Sequence, residues 1–183
     1  TNILFVGGLT EAHIPNVDAL EIFLKESWPG IHQQIPECEM LVVGANPCQR
    51  IQDAAGKGVR LLGRVEDLQE VYASARVVIC PMRFGAGVPL KLAEAMAHGV
   101  PAVASPVAAR GFGLEDGSVV AIAEDPQAFV RQVLSLYNQP REWEERQQAG
   151  LQFAQKHFSP EQVRNQLGML LESFQGRSKR SAA

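Results

Sequence analysis

The sequence predicts an α/β fold in which a single parallel sheet carries helices on both faces. Short apolar runs of strand length alternate with segments of helical periodicity through most of the chain. Glycines follow several of these runs, at residues 7, 8, 44, 63, 85 and 87. Such an alternation requires crossover helices, and ligands of such sheets bind at the carboxyl ends of the strands. We therefore expect the glycine turns to gather at one edge of the sheet.

The composition is ordinary for a soluble globular protein. Of 183 residues, 46% are hydrophobic and 20% are charged, which suits one domain with a sizeable core. We place that domain at residues 1–176 and predict a disordered basic tail at residues 177–183. The net charge of −3 argues against a nucleic-acid-binding surface, and no apolar run reaches membrane-spanning length. Three cysteines without paired spacing favour a reduced, cytoplasmic protein, and the four histidines form no metal-ligand pattern.

The predicted elements follow one another in a regular order. Apolar runs predict strands at residues 3–6, 40–43, 59–62, 76–81, 100–104 and 119–122. The first helix should begin near Val17 and stop at Trp28-Pro29-Gly30, and the second should be capped at Asn46. Helical periodicity and start signals predict further helices at residues 66–74, 90–98, from 126, from 140 and at 159–175. The segment at residues 108–113 is expected to be a loop.

The last of these helices carries more apolar residues than a terminal helix needs on one side. They are Val163, Leu167, Leu170, Leu171 and Phe174. We expect part of this stripe to be exposed in the isolated chain, because an exposed apolar patch marks an interaction surface. The alternative is that the helix folds back onto its own domain.

The stretch at residues 79–103 has the most informative pattern. It predicts a strand, a glycine-rich loop, a helix opened by Pro89 and a following strand. Leu90, Ala93 and Ala97 are expected to form the inward stripe of the helix. A glycine loop before a helix N-terminus favours anion binding, and Lys91 and Glu94 lie one turn apart on that helix. The alternative is a solvated ion pair behind a tight turn.

The order and spacing of several segments resemble a known family. They are FVGGL, LVVGANP, GVRLLGRVEDLQEVYASA, VVICPMRFGAGVPLKLAEAMAHGVPAVAS and AEDPQAF, which together span about residues 2–137. The chain resembles the C-terminal, donor-binding domain of GT-B glycosyltransferases of the retaining family 4 type. The resemblance implies a Rossmann-like sheet and a binding site for a nucleotide-sugar donor.

The resemblance also implies roles for individual residues. The donor diphosphate would lie against Gly85, Ala86, Gly87 and Val88, with Lys91 and Arg83 as its basic partners and Gly7 and Gly8 approaching it from the first loop. Glu94 would hold the ribose, and the base would sit near Arg64 and Val65. Ala86 occupies the place of the family's first acidic residue, so one expected carboxylate is missing. The alternatives are a surface charge for Arg83 and a plain tight turn for Gly7-Gly8.

The function implied is transfer of a sugar, of the hexosyl type, from a nucleoside-diphosphate sugar such as a UDP or GDP sugar. No metal or other cofactor is expected, since helix N–H groups and Lys91 would stabilise the departing diphosphate. The acceptor would come with a missing N-terminal domain, so the chain alone should bind donor and transfer little. Any peripheral membrane association would run through that domain.

Three other functions are alternatives to sugar transfer. One is a nucleotide-binding regulatory module without catalytic activity, and another is a sugar-nucleotide epimerase domain. A dinucleotide-dependent oxidoreductase is disfavoured, because Gly7-Gly8 lacks the glycine fingerprint and the acidic residue that follows it.

Overall fold

The structure, a computed structural model, describes residues 2–85, 87–114, 116–164 and 167–169. Six strands are present in this part of the chain: β1 (Asn2–Val6), β2 (Met40–Val43), β3 (Val59–Gly63), β4 (Ala75–Cys80), β5 (Ala102–Ala104) and β6 (Ala121–Ile122). They form one sheet in the order β3-β2-β1-β4-β5-β6, and each neighbouring pair is parallel. The predicted α/β fold is therefore confirmed.

Helices connect the strands. They are α1 (Ile14–Ile22), α2 (Trp28–Gln34), α3 (Gln49–Ala54), α4 (Gln69–Ser74), α5 (Leu90–Ala97), α6 (Pro106–Arg110), α7 (Pro126–Asn138) and α8 (Pro140–Phe158). A π-helical turn, Phe23–Ser27, continues α1 into α2. Residues 160–164 and 167–169 are also helical.

The core consists of two apolar layers, one on each face of the sheet. Phe5 belongs to the layer that packs under α1, α2 and α7, whereas the adjacent Leu4 belongs to the layer under α5 and α8. Successive side chains of a strand point to opposite faces, so both faces of a central strand must be apolar. Burial of one large apolar side chain stabilises the fold by about 1.5–3 kcal/mol.

The predicted stop at Trp28-Pro29-Gly30 is wrong. Pro29 lies in the first turn of α2, where its missing N–H breaks no helical hydrogen bond, and the π-helical turn precedes it. Trp28 is buried, and its indole N–H donates to the carbonyl of Lys57 at 2.9 Å. The helix therefore resumes because tertiary contacts anchor Trp28.

The predicted inward stripe of α5 is also wrong. Leu90 is 72% exposed, and the buried apolar residues of the helix are Leu92, Ala95 and Met96. Each set falls on one face of a helix, so periodicity alone could not choose between the two adjacent stripes. The rotation of the helix brings Lys91 inward.

Two shorter segments differ from prediction. Asn46 does not cap α3, which starts three residues further on at Gln49; Asn46 instead adopts a left-handed conformation with φ of 48°. The expected loop at residues 108–113 begins as the last part of α6, because the Ser105 hydroxyl accepts from the N–H of Ala108 at 3.2 Å and caps that helix.

The prediction of an exposed apolar stripe near the C-terminus is confirmed for two of its members. Val163 is 45% exposed and Leu167 is 55% exposed. Leu170, Leu171 and Phe174 lie outside the described residues, as does the predicted tail at residues 177–183.

Candidate functional site

A cleft of about 420 Å³ opens at the carboxyl ends of β1 and β4, where the loops after both strands meet the N-terminus of α5. Several predicted site residues line this cleft: Gly8, Gly85, Gly87, Val88, Lys91 and Glu94. The cleft therefore lies at the sheet edge where a parallel α/β fold binds its ligands. Ala86 is not among the described residues.

Lys91 is the basic group of the cleft, although its side chain is only 7% exposed. Its Nζ donates to Asn16 Oδ1 at 2.7 Å and lies 4.2 Å from the ring centre of Phe5. Burial lowers the pKa of Lys91, while the negative charge of Glu94 acts in the opposite direction. The ammonium group is thus held against one wall of the cleft by a neutral amide and an aromatic ring.

Gly7 provides the space in which this arrangement fits. A Cβ atom at Gly7 would lie 3.0 Å from Asn16 Nδ2 and 3.2 Å from Lys91 Nζ. Either group would have to shift to admit a side chain. Glycine at position 7 therefore leaves room for the contact between Lys91 and Asn16, and it does not line the cleft itself.

Glu94 brings a carboxylate to the same cleft. It is partly buried, and its Oε2 accepts from the hydroxyl of Tyr72 at 2.9 Å. Burial raises the pKa of Tyr72, and the nearby charge of Glu94 raises it further, so the phenol stays protonated and donates. One carboxylate oxygen is thereby held in place from the interior of the protein.

The glycine loop forms the mouth of the cleft. Gly85 has φ of 142° and Gly87 has φ of 100°, conformations that side-chain-bearing residues rarely adopt. The loop leads through Pro89 directly into α5, where the N–H of Leu92 donates to the Pro89 carbonyl at 2.9 Å and the N–H groups of Leu90 and Lys91 precede that bond. Exposed apolar side chains of Phe84, Val88 and Leu90 surround this opening. The mouth therefore combines the N–H groups of a helix N-terminus with an apolar rim.

The remaining predicted site residues lie elsewhere. Arg83 forms an ion pair with Asp18, with Nε and Oδ2 3.0 Å apart, and borders a second cavity of about 300 Å³. Arg64 is exposed after β3, and the adjacent Val65 packs against the apolar layer under α5 and α8. None of the three lines the cleft. Their roles toward a donor stay predictions, as do those of the residues that the cleft brings together.

Sequence reasoning missed two residues of the site. Asn16 lies within α1, and its side chain binds Lys91. Tyr72 lies on α4, and only the structure reveals its bond to Glu94. No local pattern indicated either contact, because the partners are 75 and 22 positions apart in sequence.

Two classes of feature are absent from the described residues. Within residues 2–85, 87–114, 116–164 and 167–169, no cluster of three or more histidine, cysteine, aspartate or glutamate residues is arranged to hold a metal ion. Of the helices in the same ranges, none has the length and apolarity needed to cross a membrane.

Comparison with known proteins gives a family match over most of the chain. The sequence model of the family "Glycosyl transferases group 1" matches residues 1–139. A 44.6 kDa protein of unknown function from the cps region of Klebsiella pneumoniae is 27% identical over 144 residues, which cover 73% of this chain and 36% of that protein. The phosphatidyl-myo-inositol mannosyltransferase of Mycobacterium leprae is 34% identical over 101 residues, covering 52% of this chain and 27% of the enzyme.

Solved structures share the fold. Sucrose-phosphate synthase from Thermosynechococcus elongatus superimposes with a TM-score of 0.75 at 22% identity, covering 96% of this chain and 46% of that one. Anabaena Alr3699/HepE, solved in complex with UDP and glucose, gives a TM-score of 0.75 at 15% identity, covering 94% of this chain and 48% of its own. The chain thus spans less than half the length of these proteins.

Proposed function

Because the chain belongs to the glycosyl transferases group 1 family, we propose that its cleft binds the nucleoside diphosphate of a nucleotide-sugar donor for sugar transfer. The observation that carries the proposal is the ammonium group of Lys91. It is buried, lines the cleft and is bonded to a neutral amide. A buried cation costs free energy unless an anion compensates it, and a diphosphate in the cleft supplies that anion.

The chemistry required is stabilisation of a leaving group. Breaking the bond between the sugar and the diphosphate develops negative charge on the phosphate oxygens. Lys91 and the first N–H groups of α5 lie at the same end of the cleft, so both act on that charge. No divalent cation is needed in this arrangement.

The nucleoside would extend from the diphosphate toward the interior side of the cleft. Glu94 lines the cleft, and its carboxylate oxygens would accept hydrogen bonds from the two ribose hydroxyls. The base would then reach toward Arg64 and Val65 after β3, where backbone groups would bind it. The UDP complex of the Anabaena protein with the same fold makes UDP the first nucleotide to test.

A second domain would complete the active site. The exposed apolar side chains of Phe84, Val88 and Leu90 surround the cleft mouth, and exposed apolar surface of this kind marks an interaction site. We propose that an acceptor-binding domain covers this mouth, and that a hexosyl group is transferred there with retention of configuration. The 183-residue chain alone should therefore bind donor and release little diphosphate from UDP-glucose or GDP-mannose.

Calorimetric titration tests the donor site directly. The chain is titrated with UDP, GDP, ADP and uridine, and one of the diphosphates should bind with a dissociation constant in the micromolar to millimolar range. Lys91→Met should weaken the binding of the diphosphate by about 10- to 100-fold, because a hydrogen bond to a charged group contributes roughly 1.5–3 kcal/mol. Its effect on the nucleoside should be small.

Lys156→Met is the matched control, since Lys156 is an exposed lysine of α8. It should leave the affinity for the diphosphate unchanged. Absence of binding by all three diphosphates at millimolar concentration would contradict the proposal. Equal weakening of diphosphate and nucleoside by Lys91→Met would contradict the role given to Lys91.

A further inference from the structure

Tyr72 contacts the cleft carboxylate from outside the cleft. The residue is 1% exposed and does not line the cavity, so it cannot touch a ligand there. Its hydroxyl nevertheless donates to Glu94 Oε2 at 2.9 Å, across 22 positions of sequence. Any influence of Tyr72 on a ligand must therefore pass through Glu94.

The position of the Tyr72 hydroxyl is itself fixed. The phenol ring stacks on the imidazole of His98, with centroids 4.6 Å apart and planes 7° from parallel. His98 directly follows α5, the helix that carries Glu94. Stacking of the ring and the hydroxyl bond thus join Tyr72 of α4 to the C-terminal half of α5 at two points.

We propose that Tyr72 is a positioning residue that fixes Glu94 Oε2 so that Oε1 faces the ribose hydroxyls of a bound nucleotide. This inference rests on the proposed function, since it assumes that a nucleotide occupies the cleft. A long carboxylate side chain loses rotamer freedom when it binds a ligand, and a partner that orders it beforehand reduces that cost. The Tyr72 hydroxyl is such a partner.

Tyr72→Phe tests the proposal, because it removes the hydroxyl and keeps the stacked ring. The probes are the diphosphate that binds the wild-type chain most tightly, its 2′,3′-dideoxy counterpart and inorganic pyrophosphate. We expect the variant to bind the ribose-containing diphosphate about three- to tenfold more weakly than the wild type. The dideoxy nucleotide and pyrophosphate, which lack the ribose hydroxyls, should bind the variant and the wild type equally.

A double-mutant cycle separates this role from a general effect on the fold. In a Glu94→Ala background, Tyr72→Phe should no longer change the affinity for the diphosphate, because the group that it positions is gone. The control is Tyr137→Phe, which removes the hydroxyl of a tyrosine packed in the layer on the opposite face of the sheet. This control should leave all three affinities unchanged.

The outcomes distinguish the inference from the function on which it rests. The role of Tyr72 is overturned if Tyr72→Phe leaves the affinity for the diphosphate unchanged. It is also overturned if the variant weakens the binding of all three probes equally. Either result leaves the donor site intact. The same loss in the Glu94→Ala background also overturns it. If the wild-type chain binds none of UDP, GDP and ADP, the donor site and the inference both fail.

Discussion

Lys91 shows how one residue links the energetics of folding to the chemistry of the site. Its ammonium group lies beneath the cleft between Asn16 and the ring of Phe5, largely withdrawn from water. Burial of a charged group opposes folding, and hydrogen bonding and a cation–π contact offset only part of that cost. Burial of Lys91 therefore lowers the stability of the folded chain but keeps a cation in the cleft that an anion can bind.

The first prediction concerns the pH dependence of stability. The pKa of Lys91 lies below its ordinary value of 10.5 in the folded chain because of burial, so the unfolded chain binds more protons between these two values. The free energy of unfolding should therefore rise as the pH increases from the folded-state pKa of Lys91 to its ordinary value. Urea titrations on both sides of the window should show this rise in the wild-type chain and a smaller rise in Lys91→Met.

The second prediction concerns Asn16. Replacing it by aspartate places a negative charge beside the ammonium group, which raises the pKa of Lys91 and competes with a phosphate for it. Asn16→Asp should weaken diphosphate binding by about tenfold or more and leave nucleoside binding nearly unchanged. Asn138→Asp, at the exposed end of α7, is the control. Tighter diphosphate binding by Asn16→Asp would show that Lys91 does not contact the phosphates.

At the level of elements, Ser105 connects α6 to the glycine loop. The residue is 8% exposed, and its hydroxyl donates to the carbonyl of Met82 while accepting from the N–H of Ala108. Met82 follows β4 and lines the cleft. One hydroxyl therefore caps a helix and fixes the start of the loop that forms the cleft mouth.

The third prediction follows from this double contact. Ser105→Ala removes a helix cap and leaves a carbonyl without its partner, so the free energy of unfolding should fall by about 1–3 kcal/mol. The glycine loop should also become more mobile, which hydrogen exchange of the amides between residues 83 and 89 would report. Ser118→Ala, at an exposed turn, should change stability by less than about 0.5 kcal/mol. A loss no larger than that of the control would contradict the proposed link.

At the level of the whole molecule, the sheet order explains why the cleft forms where it does. β1 and β4 are neighbours at the centre of the sheet although β2, β3 and three helical crossover connections separate them in sequence. From β1 the chain crosses to β2 and then β3, whereas from β4 it crosses to β5 on the other side. The loops after β1 and β4 therefore diverge and leave a crevice between them. Lys91 of α5 and Asn16 of α1 both line that crevice.

The fourth prediction concerns metal ions. Charge neutralisation in the cleft is assigned to Lys91 and to helix N–H groups, so binding of the diphosphate should not depend on a divalent cation. Addition of EDTA should leave the dissociation constant measured by calorimetry unchanged. A loss of binding with EDTA that magnesium restores would show that a cation belongs to the site.

The sequence by itself determined the α/β fold, the position of the glycine loop and the one-turn spacing of Lys91 and Glu94. These features are local, because strand length, helical periodicity and glycine turns depend on residues that are close together in the sequence. The order and spacing of the segments also sufficed to indicate a glycosyltransferase, which the match of the group 1 family over residues 1–139 confirms. Local patterns could not, however, decide which of two equivalent stripes of α5 faces inward.

Only the tertiary structure decided which side chains meet. Asn16 binds Lys91 across 75 positions of sequence, and Tyr72 binds Glu94 across 22. Arg83, which the sequence places beside the glycine loop, instead pairs with Asp18 on α1 and faces a different cavity. Such contacts depend on the order of strands and the rotation of each helix about its axis. The packing of the two apolar layers sets that rotation, and no single segment of sequence encodes it.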